Sequence, residues 1–200
     1  MELLDRRISL WINSFYCEAG DWLWTLMSDR LVWFPMYAVI AFMIFRRLGW
    51  KRGAVAFISI VLTIVACDQT CNLFKISVGR LRPCNDAWML ANGLHAIEGV
   101  ANWGSPYGFF SAHAANSIGF AVCSSRCLKW DETHSYRGYS RFVAVWATLV
   151  AVSRIFAGKH FFGDVLVGSL AGVAFGFLFS YIGEKVWKSF MKNTSRAAVE

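Results

Sequence analysis

Between Leu31 and Gly183 the sequence returns five times to a long apolar stretch, at approximately 31–46, 53–74, 109–128, 141–157 and 161–183. A helix needs about 20 apolar residues to cross a bilayer core, so these stretches read as membrane spans, with the first and fourth extending into their flanks. In lipid every backbone N–H and C=O must be satisfied within the chain, and a helix does this inside one segment. Hydrophobic residues make up 56% of the chain and charged residues only 16%, against about 25% charged in a soluble protein. A soluble domain of 200 residues could not bury that much apolar surface. The expected fold is therefore all-α: an integral membrane bundle of five to six transmembrane helices, in one domain over residues 1–200. Residues 1–20 place Leu3, Leu4, Ile8, Leu10, Trp11 and Ile12 beside Asp5, Arg6 and Arg7, the pattern of an N-terminal interfacial amphipathic helix. Asp21–Arg30 leads into the first span and is compatible with a sixth crossing, and residues 190–200 form a polar tail. MELLDRRISLWINSF is acidic where a secretory leader is basic, so no cleaved leader is expected and insertion falls to retained helices.

The formal charge of +7 is a feature of some nucleic-acid-binding proteins, but its distribution describes topology instead. Arg46, Arg47, Lys51 and Arg52 share one turn; Arg126, Lys129, Arg137 and Arg141 share another; Lys185, Lys188, Lys192 and Arg196 sit in the tail. The positive-inside rule assigns all three groups to the cytoplasmic side. Residues 84–108, on the opposite side, contain no Lys or Arg. Lys75, Arg80, Arg82, Arg154 and Lys159 nevertheless crowd the outer ends of spans, against the rule, which marks them as candidates for function.

The parity of the spans brings these residues together. Lys75 to Pro83 ends the second span, Phe110 to Asn116 opens the third, Ser153 to His160 ends the fourth and Asp164 opens the fifth, all on one non-cytoplasmic face. Their chemistry suits a phosphate. Lys75, Arg82 and Arg154 offer fixed positive charge, and a guanidinium can grip two phosphate oxygens at once. Ser111, Ala112 and His113 stand where a helix starts, so its unpaired N–H groups and dipole favour an anion. Of the two histidines, one imidazole can attack phosphorus and the other can protonate the departing oxygen. Asp164, four residues after His160, lies on the same face if the turn is helical and can hold the ring in one tautomer. With three cations to balance charge, no metal or cofactor is called for.

At these residues the chain resembles the type-2 phosphatidic acid phosphatases, a superfamily related in site to vanadium haloperoxidases. The first motif is complete as Lys75-ISVGRL-Arg82-Pro83, and the third as Ser153-Arg154-IFAGK-His160-FFG-Asp164. The second, Phe110-Ser111-Ala112-His113, departs by placing Phe and Ala where the family has Pro and Gly. The resemblance covers residues 53–183. It implies that His160 is the nucleophile forming a phosphohistidine, that Asp164 orients it, and that His113 is the general acid that later activates water. Lys75, Arg82, Ser111, Ala112 and Arg154 would bind the phosphate, with Arg80 a further candidate. It also implies metal-independent hydrolysis of a lipid phosphate or pyrophosphate at the outer leaflet of a bacterial inner membrane. Undecaprenyl diphosphate and a lipid A phosphate are the leading substrates; phosphatidylglycerol phosphate and phosphatidic acid stay open.

Other features have plainer readings. Lys159 is expected to snorkel to headgroups. His95 and His134 are loop residues for which the sequence offers no partner. Cys67, Cys71, Cys123 and Cys127 read as small buried thiols, while Cys17 and Cys84 could pair if their side is oxidising. Gly168, Gly172 and Gly176 allow close helix approach, within the bundle or in a homodimer through the last span. Trp88, Trp103 and Tyr107 would frame the entrance. The competing functional class is a non-hydrolytic lipid-phosphate carrier or transporter, which would leave His160 and Asp164 without a task; a haloperoxidase is disfavoured because that class is soluble.

Overall fold

The structure, a computed structural model, describes residues 2–101 and 104–197, with side chains as far as residue 192. In chain order the helices are α1 (Glu2–Asn13), α2 (Glu18–Ser28), α3 (Phe34–Leu48), α4 (Trp50–Val78), α5 (Ala87–Ala91), α6 (Ala112–Leu128), α7 (Arg137–Phe156) and α8 (Phe162–Ala197). Short 3-10 turns precede α3 and α5. Among the described residues the one β-type pairing is the bridge between Leu81 and Tyr107. The protein is thus an all-α membrane bundle. Among the described residues three segments are long and apolar enough to cross a bilayer: Leu31–Val78, which holds both α3 and α4, then Arg137–Phe156 and Phe162–Lys192. The remaining expected span, α6, has 17 residues, a length of about 25 Å.

Local sequence explains the element boundaries. Pro35 stands in the first turn of α3, where its missing N–H costs nothing. Gly49, at φ +74°, alone separates α3 from α4, and a side chain would strain that left-handed backbone. The 29 residues of α4 span about 44 Å, longer than a hydrocarbon core of about 30 Å. Lys75 stands near its end, before Gly79 closes it in a left-handed cap and donates its N–H to the Lys75 carbonyl. Ser111 caps α6 and so delays its start to Ala112, three residues beyond the expected boundary. The last helix continues past the expected limit at residue 183, because the polar segment that follows remains helical.

The 17-residue α6 lies at the centre, in contact with α4, α7 and α8. Its closest neighbour is α8. A Cβ on Gly168 would stand 2.5 Å from the Ser111 carbonyl, one on Gly172 2.4 Å from that of Ala115, and one on Gly176 2.9 Å from that of Gly119. The glycine stripe is therefore used inside the chain, against α6. Leu166, Leu170, Val173 and Phe177 of α8 are exposed and available to lipid. Trp33, Tyr37, Phe120 and Trp146 pack edge to face in the core. The four thiols Cys67, Cys71, Cys123 and Cys127 are fully buried. Cys17 and Cys84 are free, and no disulfide joins them.

One end of the bundle gathers the basic stretches. Arg47 lies 2.7 Å from His134, Arg52 rests over Trp187 and Lys51 over Phe190. All three basic stretches thus meet, as the charge distribution requires. His134 has partners after all, because Asp131 collects His134, the Thr133 hydroxyl and N–H, and the Tyr136 hydroxyl. The bonds from Thr133, then Tyr136, hold the Asp131 carboxyl below its usual range, while burial and that same carboxylate push the Tyr136 hydroxyl up to about 12.

At the other end α1 is amphipathic as expected, but its polar stripe faces protein. Ser9 and Asn13 are buried, whereas Leu3, Leu4 and Trp11 are exposed. Polar groups packed away from water need partners, and α1 finds them in the loops described below.

Because the atoms opposite Gly172 are backbone, they cannot swing aside. Gly172→Ala should destabilise the fold by about 1–3 kcal/mol, read as a lowered melting temperature in detergent, whereas Leu170→Ala on the lipid face should change it little.

Candidate active site

Main-chain hydrogen bonds stitch three loops together at the outer end. Gly108 donates its N–H to the Arg80 carbonyl at 2.8 Å and Arg82 donates to Pro106 at 2.9 Å, which ties the segment after α4 to the segment before α6. Cys84 donates to the Gly158 carbonyl at 3.0 Å, and Ser111 donates to the Asp164 carbonyl at 3.0 Å. Residues from distant parts of the sequence thereby share one rigid frame.

His160 stands inside this frame, 3% exposed. Its Nδ1 lies 3.7 Å from Asp164 Oδ2 and has no hydrogen-bond partner. That is longer than a hydrogen bond, and closing by about 0.8 Å would make one; such contacts often tighten only with substrate present. Burial lowers the His160 pKa well below that of a free imidazole, and Arg154, Arg82 and Lys75 add repulsion in that order. Burial thus favours the neutral ring, in which one nitrogen carries no proton, and a backbone hydrogen bond to Gly108 opposes the shift.

The other residues singled out from the sequence occupy distinct positions. Arg154 is buried, and its Nε has no partner among the described residues. Arg82 is also buried, and donates Nε–H to the Tyr107 carbonyl at 3.1 Å; burial lowers its pKa. Lys75 is half-buried on the last turn of α4. The Ser111 hydroxyl accepts from Ala114 N–H at 3.4 Å. Since the Ser111 N–H is taken by Asp164, the N–H groups of Ala112 and His113, which precede the first intrahelical bond, are the ones free for an anion. His113 donates Nε2–H to the Ser28 carbonyl at 3.2 Å, an acceptor only, which leaves Nδ1 as its other ring nitrogen.

Two basic residues behave differently from expectation. Arg80 joins Asp164 and Asp5, at 2.9 and 2.7 Å, and stacks on Phe161. It is thus held by carboxylates rather than offered to a phosphate. Lys159 does not snorkel: it is buried and donates to the Ala101 carbonyl at 2.6 Å. His95 also has partners, with Asp21 2.8 Å from its Nε2 and Tyr16 stacked on its ring. Trp88 is half-buried in α5, Tyr107 is exposed beside Arg82, and Trp103 lies outside the described residues.

Sequence reasoning missed the contribution of the N-terminal region. Ser28 reaches both His113 and, through its hydroxyl, Ser153. From α1, Asp5 accepts the Gly163 N–H, Ser9 accepts the Phe162 N–H, Asn13 bonds the His95, Ile155 and Phe156 carbonyls, and Arg6 holds Asp86. The signal was present as polar residues every fourth position, 5, 9 and 13, along one side of an amphipathic helix.

The sequence pattern of the PAP2 superfamily matches residues 53–188. The chain belongs to that superfamily. It is 32% identical to a lipid A 4'-phosphatase of Bacteroides thetaiotaomicron, over 96% of this chain and 82% of that protein. A lipid A 4'-phosphatase of Porphyromonas gingivalis is 26% identical, over 96% of this chain and 75% of that one. Its fold is similar to that of a transmembrane PAP2-type phosphatidylglycerolphosphate phosphatase from Bacillus subtilis, with a TM-score of 0.70 at 20% identity, covering 92% of this chain and 87% of that one. Aquifex aeolicus LpxE gives a TM-score of 0.57 at 22% identity, covering 86% and 92%.

If Arg154 meets the phosphoryl group through its unpartnered edge, Arg154→Ala should lower kcat/KM by about 10²–10³-fold, the usual cost of losing one preorganised donor to developing charge. Arg154→Lys should recover only part of the loss, because an ammonium lacks the planar fork.

Proposed function

We propose that the protein removes a phosphate from lipid A, or from a lipid closely like it, at the outer leaflet of the bacterial inner membrane, through a phosphohistidine on His160. The membership and relatives above make the chain a lipid phosphatase. The finer reading rests on one observation above all: a buried imidazole stands 3.7 Å from the Asp164 carboxylate, and the charges of Arg154, Arg82 and Lys75 act on it. A histidine kept only for packing has no need of those charges.

The proposed chemistry follows from the geometry. The phosphate is held by Lys75, Arg82, Arg154 and the N–H groups of Ala112 and His113, in line with the nitrogen of His160 remote from Asp164. That nitrogen forms the bond to phosphorus as the bond to the lipid oxygen breaks, and His113, entering the step as imidazolium with its Nε2–H kept on the Ser28 carbonyl, gives the leaving oxygen its Nδ1 proton. Asp164 stabilises the positive charge gained by the His160 ring. In the second half His113 takes a proton from water, whose oxygen attacks phosphorus and returns the bonding pair to His160, releasing inorganic phosphate. The cations supply the charge balance that a metal provides in other phosphatases.

The lipid A reading draws on the two relatives that align along nearly the whole chain. Undecaprenyl diphosphate is retained as a second substrate, because its terminal phosphoryl group suits the same cations. The periplasm-facing site draws on the separation between the motif end and the end where the basic stretches meet.

The test is phosphate release by the detergent-purified protein, in EDTA, from lipid A, undecaprenyl diphosphate, phosphatidylglycerol phosphate and phosphatidic acid. Lipid A is expected to react fastest and His160→Ala to abolish release; turnover that survives the substitution would overturn the phosphohistidine. In addition, because the neutral form of His160 is the reactive one and its pKa is lowered, the acid limb of kcat/KM contributed by this group should lie below about pH 6.5, the free imidazole value. An acid limb from His160 above that pH would contradict the assignment.

A further inference from the structure

Resting on the phosphohistidine reading, we infer that Asp5 of the N-terminal helix is a positioning residue for catalysis, acting through Arg80 on Asp164 and hence on His160.

The observations form a continuous chain. Asp164 is wholly buried, and its two oxygens have different duties. Oδ1 accepts from Arg80 Nη1 at 2.9 Å, while Oδ2 accepts the Phe161 N–H at 3.0 Å and faces His160 Nδ1 at 3.7 Å. Which oxygen faces the histidine is therefore decided by where the Arg80 guanidinium sits. Two contacts fix that place. Asp5 Oδ2 accepts from Arg80 Nη2 at 2.7 Å, and the Phe161 ring lies under the guanidinium carbon at 4.0 Å from its centroid. One planar fork thus bridges two carboxylates, a geometry an ammonium cannot copy.

Asp5 is itself anchored to the helix that carries Asp164. Its Oδ1 accepts the Gly163 N–H at 2.8 Å, beside Ser9, which accepts the Phe162 N–H at 2.8 Å. The unpaired N–H groups that open α8 are thus capped by α1, a helix about 150 residues earlier in the chain. A Cβ at position 163 would come within 2.8 Å of Asp5 Oδ2, so the glycine permits the approach. The first helix therefore does more than rest on the membrane surface: its polar stripe aligns the His160–Asp164 pair. Without the Asp5 charge, Arg80 keeps only Asp164 as an anionic partner and is free to shift toward it, carrying Oδ1 and Oδ2 out of register with His160.

Asp5→Asn separates this charge link from the helix cap, because one amide oxygen can still accept the Gly163 N–H while the amide nitrogen cannot accept from Arg80. The experiment measures kcat, KM and melting temperature of the full-length protein for wild type, Asp5→Asn, Arg80→Gln and the double variant. His160→Ala runs alongside, and Arg7→Gln, on an exposed position of α1, serves as the control with unchanged kinetics. The lipid is whichever of the four above the wild type turns over fastest. Asp5→Asn should lower kcat by about 10-fold, within the range for partners of a reactive group's own ligand, with KM and melting temperature near wild type. The double variant should match Arg80→Gln alone, since Asp5 acts through Arg80.

Unchanged kcat in Asp5→Asn, effects that multiply in the double variant, or a kcat loss that merely tracks lost stability would each overturn the relay. Should Asp5→Asn fail to accumulate, Arg80→Lys keeps the charge and removes the fork. It must then lower kcat at unchanged KM, and wild-type kinetics there would refute the inference. Activity persisting in His160→Ala removes the phosphohistidine reading itself; an inactive His160→Ala beside an unaffected Asp5→Asn removes only the relay.

Discussion

Asp164 is the point on which the site depends. A carboxylate with no solvent exposure costs several kcal/mol unless charges and hydrogen bonds replace its water. Here the guanidinium of Arg80 and the N–H of Phe161 do so, and the residue's own carbonyl receives the N–H of Ser111. One residue thereby joins the starts of α6 and α8 and holds the carboxylate that faces His160. The glycine stripe of α8 serves the same arrangement. Only with the two backbones this close can the Ser111 N–H reach the first turn of the neighbouring helix.

The outer cations gain meaning from the same geometry. Lys75, Arg82 and Arg154 stand at the end of the bundle away from the basic stretches, and Arg82 and Arg154 are buried as well. A group of buried like charges is unfavourable until an anion enters among them. The frame of main-chain bonds keeps the cations apart and in place, so the cost is met in folding rather than at the moment of reaction. Preorganisation of this kind is a large contribution to stabilising charge that develops in a reaction. Arg80 is the exception, already neutralised by two carboxylates, and so belongs to the support of the site.

Membership of the PAP2 superfamily accounts for the helices from α4 to α8, which the matched region covers. The first two helices lie outside that region, yet they touch the site at several points: Ser28 at His113 and Ser153, Asp5 at Arg80 and Gly163, Asn13 at the end of α7. Relatives similar over 96% of this chain include these helices in the likeness. The amphipathic character of α1 thus leaves an apolar face exposed and turns a polar one to the loops around His160.

The sequence by itself determined the class of fold, the apolar segments that build it and the end of the bundle at which the motif residues gather. Each follows from a one-dimensional quantity: the length of an apolar run, the sign of the flanking charge, the parity of crossings. The motif spacings likewise placed Lys75, Arg82, His113, Arg154, His160 and Asp164 on a single face. Only the tertiary structure decided how those residues are paired. That Arg80 faces two carboxylates, that Lys159 is buried under a carbonyl, and that His95 and His134 each have an acidic partner depend on contacts between segments tens of residues apart. The same holds for α1: periodicity shows that it has a polar face, but an interfacial helix and a helix docked on protein share that pattern. What distinguishes them is whether water or buried backbone N–H groups stand opposite, and that is settled by packing in three dimensions.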